Sequence, residues 1–267
     1  MKASRTLRAL PTLLRIGLAE AVAYRAEMLV WVLATTMPLI MLAFWSAVAR
    51  DQPIGRFGQS EFVAYFLATF IVRQMTGSWA AWEINFEIRQ GTMAMRLLRP
   101  IHPAYSYAAE NLAAVPLRLI VALPVAVIAL LTVGAAQLPR DPRLWIVWCL
   151  AMLGSWLITF MANVAIGSLA FYMESSLKVM DAYIAATFVF SGYLIPVELF
   201  PPVLRAIVAW MPFRYQIGFA VEVMVSGHAL PEALFLLARQ WVYVVLLWIA
   251  CRVLWRGGVR RFAAYGG

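Results

Sequence analysis

The sequence predicts an all-α integral membrane protein with six transmembrane helices, and three features of the chain support this. Hydrophobic residues make up 64% of its 267 residues and charged residues only 13%, whereas soluble domains average roughly 45–50% and 25%. The apolar residues fall into runs near the roughly 20 residues that a bilayer requires. Polar segments rich in Gly and Pro separate these runs. We therefore interpret residues 1–267 as a single transmembrane domain.

The first element is an amphipathic helix predicted at residues 11–27. Pro11 occupies its first turn, and apolar residues such as Leu14 and Leu18 recur at helical spacing. Arginines such as Arg15 lie at the other positions. This distribution predicts a helix along the membrane surface with its arginines towards anionic lipid. A soluble helix packed on a partner protein is the alternative.

Six apolar runs follow, and each is predicted to span the membrane. They are residues 28–49, 62–82, 111–133, 144–171, 179–195 and 233–255. The fifth run leads into residues 197–227, where prolines separate apolar pieces that are too short to cross a bilayer. We expect this segment to form re-entrant or external helices before the sixth span, shielded by protein.

Residues 83–103, which we call the insert, place charges, a glycine and prolines between the second and third spans. Glu83 and Glu87 lie one helical turn apart, and Gly91 is expected to end the helix that carries them. The insert is therefore predicted to extend the second span out of the membrane and then to turn. The alternative is an ordinary basic loop of a multispan protein.

A second, short helix is predicted within the insert at residues 92–99. Thr92 is the predicted capping residue, and Met93 and Leu97 share one apolar face. Arg96 lies near the C-terminal end of the helix, and Pro100 ends it. A short helix with a soft apolar face and a basic end suits insertion into a groove on a partner protein.

Polar residues within the spans are the candidates for a substrate path. Arg73 is the costliest, because a central arginine costs about 2.5–3.5 kcal/mol on insertion scales. Together with Gln74 and Asn163 it is predicted to face a substrate path or a second subunit, with a structural pairing to a neighbouring span as the alternative. Arg118 lies nearer the end of its span and is expected to snorkel towards the interface.

The charges and the remaining reactive residues exclude other classes of protein. The net charge is +9, but the basic residues lie next to apolar runs, which indicates anionic lipid as their partner rather than nucleic acid. Lys and Arg are more frequent in the segments assigned to the inner side, and this bias places both termini and the insert in the cytoplasm. The two cysteines lie inside apolar runs and the two histidines outside the spans, so neither a metal site nor a catalytic dyad is indicated.

With this layout, the chain resembles the permease subunit of an ATP-binding-cassette (ABC) exporter of the type-2 class. The resemblance covers the surface helix, the six spans, the insert and the segment before the last span. Its closest residue matches lie at residues 87–100 and, in the re-entrant region, at Gly192, Pro196, Pro201 and Pro212. Met95 is a departure, because an acid at this position would complete a capping box with Thr92.

The resemblance implies that the helix at 92–99 couples the spans to a separate ATPase subunit. The residues assigned to this coupling are Glu83, Glu87, Gly91, Thr92, Met93, Arg96, Leu97 and Pro100. Neither lysine of the chain, Lys2 or Lys178, follows a Gly-rich loop, so the chain lacks a phosphate cradle and is not itself an enzyme.

ATP and Mg are accordingly expected on the ATPase subunit, and no cofactor on this chain. The resemblance further implies a second permease chain, identical or homologous, in the inner (plasma) membrane of a bacterial cell. A secondary transporter, or a channel or scaffold protein without an ATPase, is the alternative. A secondary transporter would need acidic residues inside the spans, and the predicted spans contain almost none.

Overall fold

A computed structural model describes residues 2–133, 138–225 and 228–262. The chain is 80% helical, and the described residues form no strands, so the prediction of an all-helical protein with several apolar helices is confirmed. The α-helices are α1 (Lys2–Ala23), α2 (Arg25–Ala34), α3 (Met37–Val48), α4 (Gln59–Thr76), α5 (Ala80–Arg89), α6 (Met93–Leu97), α7 (Pro103–Ala113), α8 (Val115–Val133), α9 (Pro142–Ser168), α10 (Ser176–Phe190), α11 (Pro202–Ala209), α12 (Gly218–Val225) and α13 (Leu230–Arg261).

Three helical segments of the described chain are long and apolar enough to cross a membrane. They are Pro103–Val125, Pro142–Phe171 and Leu230–Arg261, and the shorter Met37–Val48 is also apolar. The first of them joins α7 to the beginning of α8, and the second extends α9 by one 3₁₀ turn. The arrangement of six spans remains a prediction from the sequence.

Two predicted spans are interrupted, and a third, at 179–195, is only partly helical because α10 ends at Phe190, which corrects the expectation of continuous helices. The run at 28–49 breaks between α2 and α3, where Pro38 lies in the first turn of α3. Proline has no N–H to donate and is tolerated at a helix start, so the break precedes it. The run at 62–82 breaks at Gly77, which has an extended backbone with φ −62° and ψ 141° and ends α4.

The first helix also differs from its prediction. It begins at Lys2, and Pro11 lies inside it rather than in its first turn. It packs across α7 at Gly17, where an added Cβ would lie 3.0 Å from the Cβ of Ala113 and 3.1 Å from the Cα of Glu110. One side of α1 therefore lies on protein, while apolar side chains such as Ile16 remain exposed.

Helix α9 lies at the centre of the fold, because two of its glycines let neighbouring helices approach closely. At Gly154 an added Cβ would lie 2.6 Å from the side chain of Gln240 on α13, and that side chain donates to the carbonyl of Ala151 at 2.9 Å. At Gly167 an added Cβ would lie 2.9 Å from the Cβ of Ile84 on α5. The close packing at Gly167 fixes α5, and with it the start of the insert, against the central helix.

Candidate functional site

The insert forms a turn and two helices at one end of the bundle. Gly91 follows α5 with φ +74°, in the left-handed region that favours glycine. Helix α6 is shorter than predicted and covers Met93–Leu97. The predicted cap at Thr92 is wrong, because Thr92 has a helical backbone (φ −67°, ψ −16°) and its side chain makes no capping bond. A capping residue needs an extended backbone to reach the free N–H groups of the first turn.

The apolar face that α6 presents outwards differs from the predicted one. Met93 was expected on that face, but it is fully buried in an apolar cluster with Ile84 of α5, and Leu97 packs against the same cluster. The outward side chains are Met95, which is 68% exposed, and Leu98, which is 79% exposed. The expectation that Met93 and Leu97 form the outward apolar face is therefore wrong for Met93 and holds only partly for Leu97, and the exposed apolar side chains here are Met95 and Leu98.

Arg96 attaches α6 to the helices on both sides of it, through what we call the Arg96 cluster (Glu87, Arg96, Tyr107 and Glu110). Its Nη2 lies 2.7 Å from Oε1 of Glu87 on α5, and its Nη1 lies 3.2 Å from Oε1 of Glu110 on α7. The Tyr107 hydroxyl donates to the second oxygen of Glu87 at 2.6 Å, and the guanidinium lies 4.2 Å from the centre of the Tyr107 ring. Arg96 therefore faces the protein and fixes the orientation of α6.

Glu83, the other acid of the predicted docking element, lies beside this cluster and is also directed inwards. The indole N–H of Trp79 donates to its Oε1 at 2.5 Å, and its Oε2 is buried without a hydrogen-bond partner. Burial, followed by the neighbouring charge of Glu110, raises the pKa of Glu83 to about 8. The protonated form of Glu83 is therefore favoured more than that of an exposed glutamate, which reduces the negative charge around Arg96.

Helix α5 is also tied to the turn that follows α9. The buried amide of Asn85 donates to the hydroxyl of Ser176 at 2.6 Å, and Arg89 donates to the carbonyl of Met173 at 2.5 Å. The sequence analysis missed these contacts, and it missed Tyr107 and Glu110. Their partners are distant in sequence, so no local spacing signals the pairs.

The polar residues predicted within spans do not form one group. Gln74 donates to the hydroxyl of Thr35 at 2.9 Å, at the break between α2 and α3. Asn163 is buried on α9 and donates to the carbonyl of Thr159 of its own helix at 2.9 Å. Arg73 is half-buried and lies beside Gly77. Gln74 therefore contacts the break between α2 and α3, Arg73 lies beside the break at Gly77, and Asn163 belongs to the core of α9.

Arg118 does not snorkel, so that expectation is wrong. It is only 9% exposed, and its Nη1 donates to the carbonyls of Gly77 at 3.1 Å and of Gln74 at 3.4 Å. Its guanidinium also lies 4.9 Å from the ring centre of Trp79. Because α4 ends at Gly77, its last carbonyls need other donors, and Arg118 supplies them.

The chain turns towards the predicted re-entrant segment at Gly192, which has φ +85° and lies within the run predicted as the fifth span. The hydroxyl of Tyr65 donates to the Gly192 carbonyl at 2.9 Å. Pro196, Pro201 and Pro212 each stand at or just before the start of a short helix. Prolines are suited to these positions because their fixed φ matches a helix start and no N–H is lost.

Two ion pairs fix the short helices of this region in place. Arg214 binds Glu222 through both carboxylate oxygens at 2.6 and 3.2 Å, and Glu222 is only 2% exposed. Arg56 forms a second two-point pair with Glu198, which joins the loop after α3 to the segment before α11. The short helices are therefore held by charge pairing as well as by apolar packing.

Replacing Gly192 with Ala is expected to lower the free energy of unfolding by about 3 kcal/mol. An added Cβ would lie 2.5 Å from the Tyr65 hydroxyl, and a non-glycine residue at φ +85° is strained. Denaturant or thermal unfolding in mild detergent measures this loss. The double variant Gly192→Ala with Tyr65→Phe should lose less stability than the sum of the two single variants, because the clash is removed while the backbone strain and the loss of the hydroxyl's hydrogen bond remain. Wild-type stability of Gly192→Ala would contradict the expectation.

The described residues contain no group of three His, Cys, Asp or Glu side chains arranged to hold a metal ion. The comparison with known families gives one result. The model of a family described as ABC-2 family transporter protein matches residues 24–266. No curated protein matches the chain.

Proposed function

The chain belongs to the ABC-2 family of transporter proteins, and from this membership we propose that it is the membrane-spanning subunit of an ATP-driven exporter, coupled to a separate ATPase through α6. The observation that carries the proposal is the pair of exposed apolar side chains Met95, on α6, and Leu98, at the C-cap that directly follows it, on a helix whose orientation Arg96 fixes.

The outward face of α6 suits a protein groove. Methionine is flexible and polarisable and adapts to irregular apolar surfaces, and short helices commonly bind partners by placing apolar side chains in a groove. Arg99 is exposed one residue beyond Leu98, and it provides a cation at the rim of such a contact. The predicted coupling role of the insert is therefore retained, with Met95 and Leu98 as the contacting residues.

The contacts of α6 with its neighbours would transmit a displacement of α6 to the helices of the bundle. Glu87 joins it to α5, which packs on α9 at Gly167, and Glu110 joins it to α7, which continues into α8. Asn85 extends the connection to the beginning of α10 through Ser176. A displacement of α6 would thus act on several helices at once, because packed elements move as rigid bodies rather than deform continuously.

The assembly that this function needs has further parts. An ATPase subunit would hold ATP and Mg, and a second permease chain, identical or homologous, would complete the transport path across the bilayer. The six apolar runs support six spans, which put both termini on one side of the membrane, and the excess of basic residues around the insert and the termini supports the cytoplasm as that side. The inner membrane of a bacterial cell is proposed from the family resemblance.

Purification of the tagged chain in mild detergent, with intact-mass identification of every bound protein, tests the proposal. We expect a stoichiometric ATPase subunit, a second permease chain, and ATP hydrolysis by the complex. A monodisperse, well-folded chain that reproducibly lacks an ATPase would contradict the proposal and favour a secondary transporter or a channel.

A further inference from the structure

Two arginines approach the same break in the chain, at Gly77 between α4 and α5. A Cβ added to Gly77 would lie 2.9 Å from Nη1 of Arg118 and 3.1 Å from Nη1 of Arg73. These two distances limit the separation of the nitrogens to about 6 Å. Two guanidinium groups this close repel each other, and the repulsion is strong where water is scarce.

No acidic side chain balances this pair within the part of the chain that the structure describes. The ion pairs found there belong to the Arg96 cluster, to Arg56 with Glu198, and to Glu222 with its neighbours. A charged group at membrane depth normally pairs with an opposite charge or marks a path for ligand or ions. The pair at Gly77 thus places an excess of positive charge within two predicted spans, where such charge is costly.

The two arginines have different surroundings. The contacts of Arg118 are the carbonyls of Gln74 and Gly77 and the ring of Trp79, so its position is fixed by the broken end of α4. Arg73 is half-buried and lies near the hydroxyl of Tyr193. Arg73 therefore retains donors for a ligand, and Arg118 adds a fixed positive charge beside it.

The surroundings of Arg73 are polar and irregular. Gln74 binds the hydroxyl of Thr35 at 2.9 Å, and the hydroxyl of Tyr193 donates to the carbonyl of Thr35 at 3.4 Å. The breaks after α2, α4 and α10 therefore meet near Arg73. Non-helical backbone at membrane depth is tolerated where it is covered by protein or lines a cavity.

We propose that Arg73 and Arg118 bind the anionic head group, a phosphate or carboxylate, of an amphiphilic molecule. Guanidinium groups recognise these anions through paired charge-assisted hydrogen bonds. The apolar tail would extend along the exposed apolar surface of the spans. The head group is either that of a resident phospholipid or that of the cargo, and the second case rests on the proposed export function.

Binding to the permease alone tests the anion site without an ATPase. The chain is purified in a neutral maltoside detergent and titrated with dodecyl phosphate, dodecylphosphocholine or dodecyltrimethylammonium, while its thermal unfolding is followed. We expect dodecyl phosphate to stabilise the wild-type protein at the lowest concentration. Equal stabilisation by the three amphiphiles, or preference for the cation, would overturn the proposal without the use of any variant.

Variants locate the site. Arg73→Gln should weaken the response to dodecyl phosphate about tenfold or more, the size of one lost charge-assisted hydrogen bond. Arg73→Lys keeps the charge and should lose less. Arg252→Gln removes an equal charge from an exposed position on α13 and is the matched control. An unchanged response in Arg73→Gln, or an equal loss in Arg252→Gln, would overturn the assignment to Arg73.

A second measurement separates the two sources of the head group. The complex is reconstituted in phosphatidylcholine vesicles with or without phosphatidylglycerol, and ATP hydrolysis and retained lipid are measured. Stimulation by dodecyl phosphate identifies cargo, whereas phosphatidylglycerol retained without stimulation identifies a resident lipid, and either result supports the anion site. A chain that binds the phosphate but never associates with an ATPase would refute the export function alone.

Discussion

Replacing Arg96 with Gln should lower the free energy of unfolding by about 2 kcal/mol and abolish most ATP-dependent transport. The side chain is only 15% exposed, and its removal leaves Glu87 and Glu110 close together without their shared cation. The loss is smaller than for a fully buried pair because both acids retain some contact with water. At the usual scaling, thermal unfolding in detergent should shift down by about 4–8 °C.

Arg99→Gln is the matched control for the unfolding measurement only, because Arg99 lies at the rim of the proposed ATPase contact. It removes the same charge three residues further along, from an exposed position. Arg96→Lys keeps the charge but lacks a planar guanidinium that can bind both carboxylates, so its losses of stability and transport should be intermediate. In the double variant Arg96→Gln with Glu110→Gln, the losses should be less than additive because the two residues interact directly. Equal loss of stability in Arg96→Gln and Arg99→Gln would contradict the structural role of Arg96.

The position of the insert could be predicted from the sequence, but the orientation of α6 could not. Gly91 indicates a turn through the backbone freedom of glycine, and Pro100 limits the helix, so local chemistry identifies the segment. Apolar residues occupy both sides of α6, at Met93, Met95 and Leu98. A five-residue helix with apolar residues all round has no periodic signal, so the buried face is decided by the long-range contacts of Arg96.

The helix breaks were missed for a related reason. Hydropathy treats residues 62–82 as one run because Gly77 and Ser78 interrupt it only briefly. The broken end of α4 is stable because Arg118, which is 41 residues from Gly77, donates to the free carbonyl. Arg118 appeared from the sequence to be near a span end. A hydrogen-bond donor from another helix lowers the free-energy cost of the unpaired carbonyls at a helix break. A local sequence pattern cannot reveal such a distant donor.

The last prediction separates the two faces of α6. In the double variant Met95→Asp with Leu98→Asp, both changes lie on exposed side chains, so the unfolding temperature in detergent should stay close to that of the wild type. Association with the ATPase, and ATP-dependent transport, should fall at least tenfold, because charges would enter an apolar groove without partners.

Met93→Asp should behave in the opposite way. Its side chain is fully buried in the cluster beneath α6, so an unpaired carboxylate there should cost more than about 3 kcal/mol of stability. Each variant is tested in two ways. Its unfolding is measured on the permease alone, and its capture of the ATPase is measured on folded protein. If Met95→Asp with Leu98→Asp leaves capture and transport intact, α6 does not dock through this face. If Met93→Asp unfolds like the wild type, Met93 is not a core residue of the insert.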